Sequence, residues 1–363
     1  MKSVLLTTVA PLANDRVLRF DGPRPFLPTG GLDADGNLIT QEVTFEGRPS
    51  RADIQVRSGD VCFARMQATL KVLQCRERDE NLVLSTGFAV LRPDPKCIDS
   101  RFLYHYLRSR PFQSAKDRLC SGATQRAITN ENIRALSVPL LSLSQQSRVV
   151  AVLDDADRVK AKRRAALREL DALLESVFVG LFGDPISNSH RLPLIRLTDF
   201  FHFRTGKLDS NAAVPDGRYP FFTCSRQDLR IDEYAFDCEA LLLSGNNASA
   251  DYSVKHYGGK FNAYQRTYVV TLKDSANSYA YARIALERQL SRLKLASKGT
   301  NTKYLTLEIF SRLTLPVPPL QEQYRFASFY EQWSQTADLM NDSLGVSEDL
   351  FESLEHRVFG GGL

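Results

Sequence analysis

Between Pro139 and Pro185 the apolar positions keep a helical rhythm. Val149, Val152, Ala156, Val159, Ala166, Leu170, Leu173 and Val177 recur at alternating spacings of three and four, with Arg163 as the one interruption. That heptad spacing predicts a helix over 145–182 with a narrow seam, the mark of a coiled coil. The other faces carry Asp154, Asp155, Asp157, Arg158, Lys160, Lys162, Arg164, Arg168, Glu169 and Asp171, whereas a core helix would show a broader apolar stripe. Ser142 and Gln145 have the spacing of a capping box at its start, and Gly183-Asp184-Pro185 ends it. Such a helix is roughly 57 Å long. A second one is predicted after Pro318-Pro319. Its apolar positions are Phe326, Phe329, Trp333, Met340, Leu344, Leu350, Leu354 and Val358, a rougher seam with Gly345 inside it. The two helices are expected to pack on each other, antiparallel.

Elsewhere the pattern shortens to strands and turns. "DVCFARM", "LKVLQC" and "GFAVLRP" read as strands in the first part, and "FLPTGGLDADGNLIT" holds glycine-rich and Asp-Gly turn signals. "YPFFTCS", "ALLLSG", "YSVKHY" and "RTYVVTL" read as strands in the second part. Each part has one helical stretch, "SRFLYHYLRSRPFQSAKDRL" and "SYAYARIALERQLSRLKLAS". "MKSVLLTTVAPLAND" reads as an opening strand rather than a signal peptide, because its apolar run is short.

The two parts are copies. Shifted by 177 residues, Gly122 falls on Gly299, Thr129 on Thr306, Glu131 on Glu308, Leu136 on Leu313, Pro139 on Pro316, Leu143 on Leu320, Gln146 on Gln323 and Arg148 on Arg325. The register returns at Leu173/Leu350, Glu175/Glu352, Ser176/Ser353, Phe182/Phe359 and Gly183/Gly360. The matches gather at the ends of the long helices, where the chain must turn. The expected class is therefore α+β: two similar, mostly-β domains and two long antiparallel coiled-coil helices, related as a pseudo-twofold internal repeat. The expected boundaries are 1–143 and 184–319 for the domains, 144–183 and 320–363 for the helices, with 184–192 as linker.

Composition adds limits. The chain has 363 residues, 43% hydrophobic and 25% charged, the profile of a globular protein of two ordinary domains. No run of 18 apolar residues predicts a membrane helix. Six cysteines without a C-x-x-C pair are expected as free thiols in a reducing cytoplasm. The net charge of +5 permits an anionic partner. "RTGKLDS" lacks the first glycine of a phosphate-binding loop, and no G-x-G-x-x-G follows a strand. No [N/D]-P-P-[Y/F] tetrapeptide of amino-methyltransferases is present. The histidines, His105, His190, His202, His256 and His356, are scattered, and no serine has a nucleophile-elbow context. The expectation is a binding protein with no catalytic residues, metal or cofactor of its own.

The phrase "VPLLSLSQQSRVVAVLDDADRVKAKRRAALRELDALLESVFVGLFGDP", with "GATQRAITNENIRALSVPLLSLSQQ", "YPFFTCS" and "GDVCFARM", resembles the DNA-specificity subunits of type I restriction-modification systems, over nearly the whole chain. The resemblance implies two target recognition domains, each reading one half of a split sequence in double-stranded DNA. It implies helices that hold the halves apart and dock two methyltransferase subunits, which bind S-adenosylmethionine. Two motor-nuclease subunits using ATP and Mg²⁺ would be further partners, in a host-defence system of the cytoplasm.

A reader of two half-sites needs a rigid spacer, since major grooves on one side of a duplex recur about every 34–36 Å. Base edges are read by Arg, Lys, Asn and Gln, and phosphates are held by cations, hydroxyls and amides. The expected DNA contacts in the first domain are Arg65, Gln67 and Lys71 in "ARMQATLK", and Thr124, Gln125 and Arg126 in "SGATQR". In the second they are Asn246, Asn247 and Lys255, then Tyr264, Gln265 and Arg266, then Lys298, Asn301 and Lys303. The 122–126 and 299–303 loops gain weight because both copies place basic and amide groups beside a glycine. Partner docking is expected at Leu167, Leu174 and Leu181 beside the seam, with Phe178 and Phe182 as anchors. The competing readings are a coiled-coil adaptor that binds only protein, and an enzyme that modifies DNA alone.

Overall fold

The computed structural model describes residues 3–33, 36–225, 227 and 229–360. Asp35 of the expected Asp-Gly turn and the last three residues of the expected second helical region lie outside them. The chain divides into two units, Met1–Arg164 with Asp342–Leu363, and Ala165–Asn341. Each contains one domain and half of each long helix.

In the first unit, Val61–Ala64 pairs antiparallel with Val72–Gln74 on one side and Phe88–Leu91 on the other. Phe63, Ala89 and Leu91 lie buried against Phe102, Leu103 and Leu107 of the helix Ser100–Arg108. A second sheet orders Gln41–Val43, Arg24–Leu27, Val83–Ser85 and Ala52–Gln55. In the second unit one six-stranded sheet carries the equivalent trio, Phe236–Ser244 between Val254–Ala263 and Thr267–Leu272, backed by the helix Tyr279–Arg288. Each domain is closed by a two-stranded ribbon before its long helix. Ser3–Leu5 pairs with Ser137–Pro139, and Leu194–Arg196 with Thr314–Pro316.

The long helices run Leu143–Phe182 and Leu320–Phe359. The capping box forms at the first: Gln145 N donates to Ser142 Oγ (3.4 Å), and Ser142 N donates to Gln145 Oε1 (3.1 Å). Gly183, at φ +71°, ends it with a bond from its N–H to the Val179 carbonyl. Within each unit the helices pair antiparallel. In the first, Arg163 donates to the Ser343 carbonyl and Arg164 to Glu348 (2.6 Å), while the Lys160 ammonium sits 3.2 Å from the Phe351 ring centre. In the second, the Trp333 indole N–H reaches the Leu170 carbonyl (3.1 Å), and Phe178 packs on Phe326.

Val149, Ala156 and Val177 of the heptad reading pack against the cores, but at several positions the buried residue is the next one along. Leu153 and Leu174 are buried, whereas Val152 and Leu173 are about half exposed, at 51% and 49%. Lys160 takes the place expected for Val159, pairing with Asp157 at 3.0 Å. Lys160 lies over the Phe351 ring and Arg164 pairs with Glu348 of the other long helix, while Asp157 pairs with Arg108 of the domain helix, so charged side chains stand here where an apolar pattern cannot show them.

Candidate DNA-reading loops

In each unit the middle strand of the trio ends where a chain turn meets a glycine hairpin. In the first, the chain leaves Val61–Ala64 at Arg65. Arg65 N–H donates to the Gly87 carbonyl, Ile128 N–H to the Arg65 carbonyl, and Gln67 N–H to the Arg126 carbonyl, all at 2.9 Å. Ser121 and Ala127 exchange bonds across the hairpin. In the second unit the chain leaves Phe236–Ser244 at Gly245. Gly245 N–H donates to the Arg266 carbonyl and Leu305 N–H to the Gly245 carbonyl, both at 2.8 Å. Asn246 and Asn247 pair with Tyr304 and Lys303, and Lys298 and Tyr304 exchange bonds as Ser121 and Ala127 do. The expected loops are thus brought together within each unit: two in the first, and the 246–247, 264–266 and 298–303 segments in the second.

Gly122 and Gly299 have the same task. Their φ angles are +127° and +98°. A Cβ on Gly122 would lie 2.5 Å from the Gln125 carbonyl oxygen, and one on Gly299 would lie 2.1 Å from that of Thr302. Each hairpin therefore folds back on a backbone that only glycine admits. Gly122→Ala and Gly299→Ala are expected to strain their own hairpin by about 1–3 kcal/mol. Hydrogen exchange should show faster opening of 121–127 or 298–304 respectively, with the sheets unchanged. Two left-handed alanines, Ala68 (φ +52°) and Ala250 (φ +55°), lie in these same loops, and strain of this kind concentrates at functional segments.

The side chains divide into those that build the loops and those that face outward. Arg65 donates to the carbonyls of Phe88 (3.1 Å) and Ile128 (3.3 Å), and burial holds its guanidinium below the usual arginine value. Gln67 donates to the Asp117 carbonyl (3.3 Å) and Lys71 to that of Thr29 (2.9 Å). These three expected contacts are turned inward. Thr124 and Gln125 are exposed at the hairpin tip; Arg126 is exposed too, with one bond to the Cys120 carbonyl (3.1 Å). In the second unit Gln265, Arg266, Lys298 and Asn301 are exposed, while Asn246, Asn247, Lys255, Tyr264 and Lys303 are half-buried. Lys298 pairs with Glu308 (2.7 Å), Gln265 reaches Asp209 (3.3 Å), Lys255 reaches the Ser225 carbonyl (3.3 Å), and Asn247 Oδ1 accepts from Ser249.

Lys116 was not among the expected residues. It is fully buried on the helix Arg110–Arg118 and donates to the carbonyls of Met66 (3.2 Å) and Thr69 (2.9 Å), while Asp117 accepts from Ala68 N–H (3.1 Å). Burial lowers the Lys116 pKa, and Asp117 opposes that shift. No sequence spacing signals this staple, because its acceptors are carbonyls nearly fifty residues away.

The helix residues expected to dock partners are also used inside the chain. Leu174, Phe178 and Phe182 are buried in the second unit's core with Tyr281 and Phe326, and half-buried Leu181 packs against them. Leu167 is half-buried. The exposed large apolar side chains of the first long helix are Leu143, Val152, Val159 and Leu173; those of the second include Leu339, Val346 and Leu350.

The type I restriction modification DNA specificity domain matches this chain twice, at residues 29–169 and 194–345. Over 129 residues the chain is 36% identical to the type I restriction enzyme EcoDI specificity subunit of Escherichia coli, which is 36% of this chain and 28% of that protein. Over 235 residues it is 23% identical to a putative type I specificity subunit of Mycoplasma pneumoniae, 61% of this chain and 62% of that one. The chain thus spans less than two thirds of either relative. The solved S subunit of a type I restriction-modification system from M. genitalium matches with a TM-score of 0.63 at 17% identity, over 99% of this chain and 96% of that one. A structure solved for the assembly and conformational transition of a type I system matches at 0.57 and 20% identity, over 98% and 96%. Both share the fold.

Proposed function

We propose, from the premise that this chain belongs to the type I restriction-modification DNA specificity family, that it reads a two-part sequence in duplex DNA. In this reading each domain, 1–143 and 184–319, takes one half-site through its paired loops. The observation that carries it is that each copy bonds the end of a central strand, Arg65 or Gly245, to a hairpin opened by the repeated glycine, Gly122 or Gly299, with exposed amide or cationic side chains on it: Gln125 and Arg126 in one copy, Lys298 and Asn301 in the other. Exposed donors on a bonded frame suit base edges and phosphates.

The protein itself does no chemistry in this reading. Methyltransferase subunits, holding S-adenosylmethionine, dock on the helices, and ATP-dependent restriction subunits join them. Val152 and Val159 stand one heptad apart on the first long helix and Leu339 and Val346 likewise on the second, a spacing that suits a partner helix laid alongside. The free thiols fit a reducing cytoplasm.

Titration of the chain, assembled with its methyltransferase partner, on duplex DNA over a range of salt tests the reading. Phosphate contacts release counterions, so the log–log slope of affinity against salt is expected at roughly −5 or steeper. Arg126→Ala and Lys298→Ala are each expected to flatten it by about 1. A protein-only adaptor gives no slope, and an enzyme acting alone modifies the DNA without the partner.

A further inference from the structure

Gln146 and Gln323 occupy the same place in the two copies, and each is fully buried, at 0% exposure. Each spends its amide in the same way. Gln146 Oε1 accepts from the backbone N–H of Asp99 (2.8 Å), and its Nε2 donates to the carbonyls of Leu141 (2.9 Å) and Cys97 (3.0 Å). Gln323 Oε1 accepts from the backbone N–H of Ser278 (3.0 Å), and its Nε2 donates to the Pro318 carbonyl and to Asn277 Oδ1 (both 2.9 Å).

Asp99 and Ser278 are the N-cap residues of Ser100–Arg108 and Tyr279–Arg288. One side chain on the first turns of the long helix therefore grips the entry of the helix on which the domain's sheet rests. Apolar packing alone does not ask for an amide here. A buried group that satisfies three polar atoms of a joint fixes its angle, because any other seating leaves those atoms unpaired.

From this joint the chain runs directly to the loops. In the first unit Ser100–Arg108 is followed by Arg110–Arg118, whose Lys116 and Asp117 hold the 66–69 turn, and then by the Gly122 hairpin. In the second, Tyr279–Arg288 is followed by Leu290–Ala296 and the Gly299 hairpin. We infer that Gln146 and Gln323 are positioning residues for sequence reading: each sets the seating of its own domain on the long helix, and with it the placement of that domain's loops on a half-site. This inference rests on the reading proposed above.

The test replaces each glutamine by a side chain of similar length without its polar atoms, Gln146→Met and Gln323→Met, in the full chain co-expressed with its methyltransferase partner. Modified bases are mapped across a genome. The wild type should give a two-part motif. Gln146→Met is expected to relax one half, with at least a tenfold rise in modification at sites mismatched in that half, and to leave the other half strict. Gln323→Met should relax the opposite half. Gln146→Asn and Gln323→Asn, which keep the polar groups but shorten their reach, should show the same division and serve where a methionine variant fails to accumulate. A purely structural glutamine would lower the melting temperature and total modification while both halves stay strict, and that result overturns the inference. Relaxation of both halves by either variant overturns it as well. If the wild type itself yields no two-part motif, the proposed function fails first and the inference falls with it; a two-part wild-type motif with unaltered variants defeats the inference alone.

Discussion

Phe178→Ala is expected to cost the second unit about 3–5 kcal/mol, the range for removing a fully buried aromatic ring from a core. Phe178 is 0% exposed. Its ring lies 5.0 Å from Phe182, 5.7 Å from Tyr281 in a stacked arrangement and 5.4 Å from Phe326, with the Arg288 guanidinium 5.7 Å from the ring centre. These partners come from the domain helix and from both long helices, so the cavity would open at the point where all three meet. Denaturant unfolding should show the loss, and hydrogen exchange should place it in Ala165–Asn341. Leu173→Ala, one residue from the same stripe but half exposed, is expected within about 0.5 kcal/mol of the wild type. A Phe178→Ala protein of unchanged stability would show that the ring faces a partner instead.

The second large effect lies at the repeat-related position. Where the second unit buries Phe178, the first buries Glu355. Burial pushes the Glu355 carboxyl up to about 7, against the pull of Arg108 and Lys160 and with the push of Asp157 and Glu352. In the unfolded chain the same group titrates near 4.3. Between these values the folded state holds the extra proton, so stability falls as pH rises from about 4.5 to about 7 and stays lowered above. The difference amounts to about 4 kcal/mol over the whole range. His105, from the domain helix, acts in the opposite direction. It is fully buried and bonded to Asp154 (2.7 Å), and burial lowers its pKa, so its contribution is lost as pH falls below about 6.5. Glu355→Gln removes the loss on rising pH alone. Relative to wild type, its stability is expected to improve by up to about 3 kcal/mol between pH 5 and pH 8. Exchange protection of 342–360 measured over that range checks it, and a difference that does not vary with pH contradicts it.

Much of this architecture was readable because it rests on local chemistry. Ser142 and Gln145 announce the start of the first long helix, Gly183 its end, and the recurrence of Gly122 as Gly299 marks a loop in each copy. What escaped depends on partners distant in the chain. Arg65, Gln67 and Lys71 look like free donors in sequence, yet their acceptors are carbonyls of Phe88, Ile128, Asp117 and Thr29. Phe178 and Phe182 look like surface anchors beside a heptad, because nothing local reveals that Tyr281 and Phe326 cover them. The heptad reading finds Val149, Ala156 and Val177 but not the places of Lys160 and Arg164, because these stand between the helices as paired charges. Gln146 and Gln323 are a repeated identity in sequence, but their partners at the joint, Asp99 and Ser278, are distant in the chain.

The central claim is that two similar domains each read their own half of one DNA target. It is tested most directly by exchanging residues 1–143 for the corresponding domain of another family member, co-expressing the chimera with its methyltransferase partner, and mapping the modified bases. A motif altered in one half, with the other half and the gap kept, is the predicted result. A motif altered in both halves, or in neither, contradicts it.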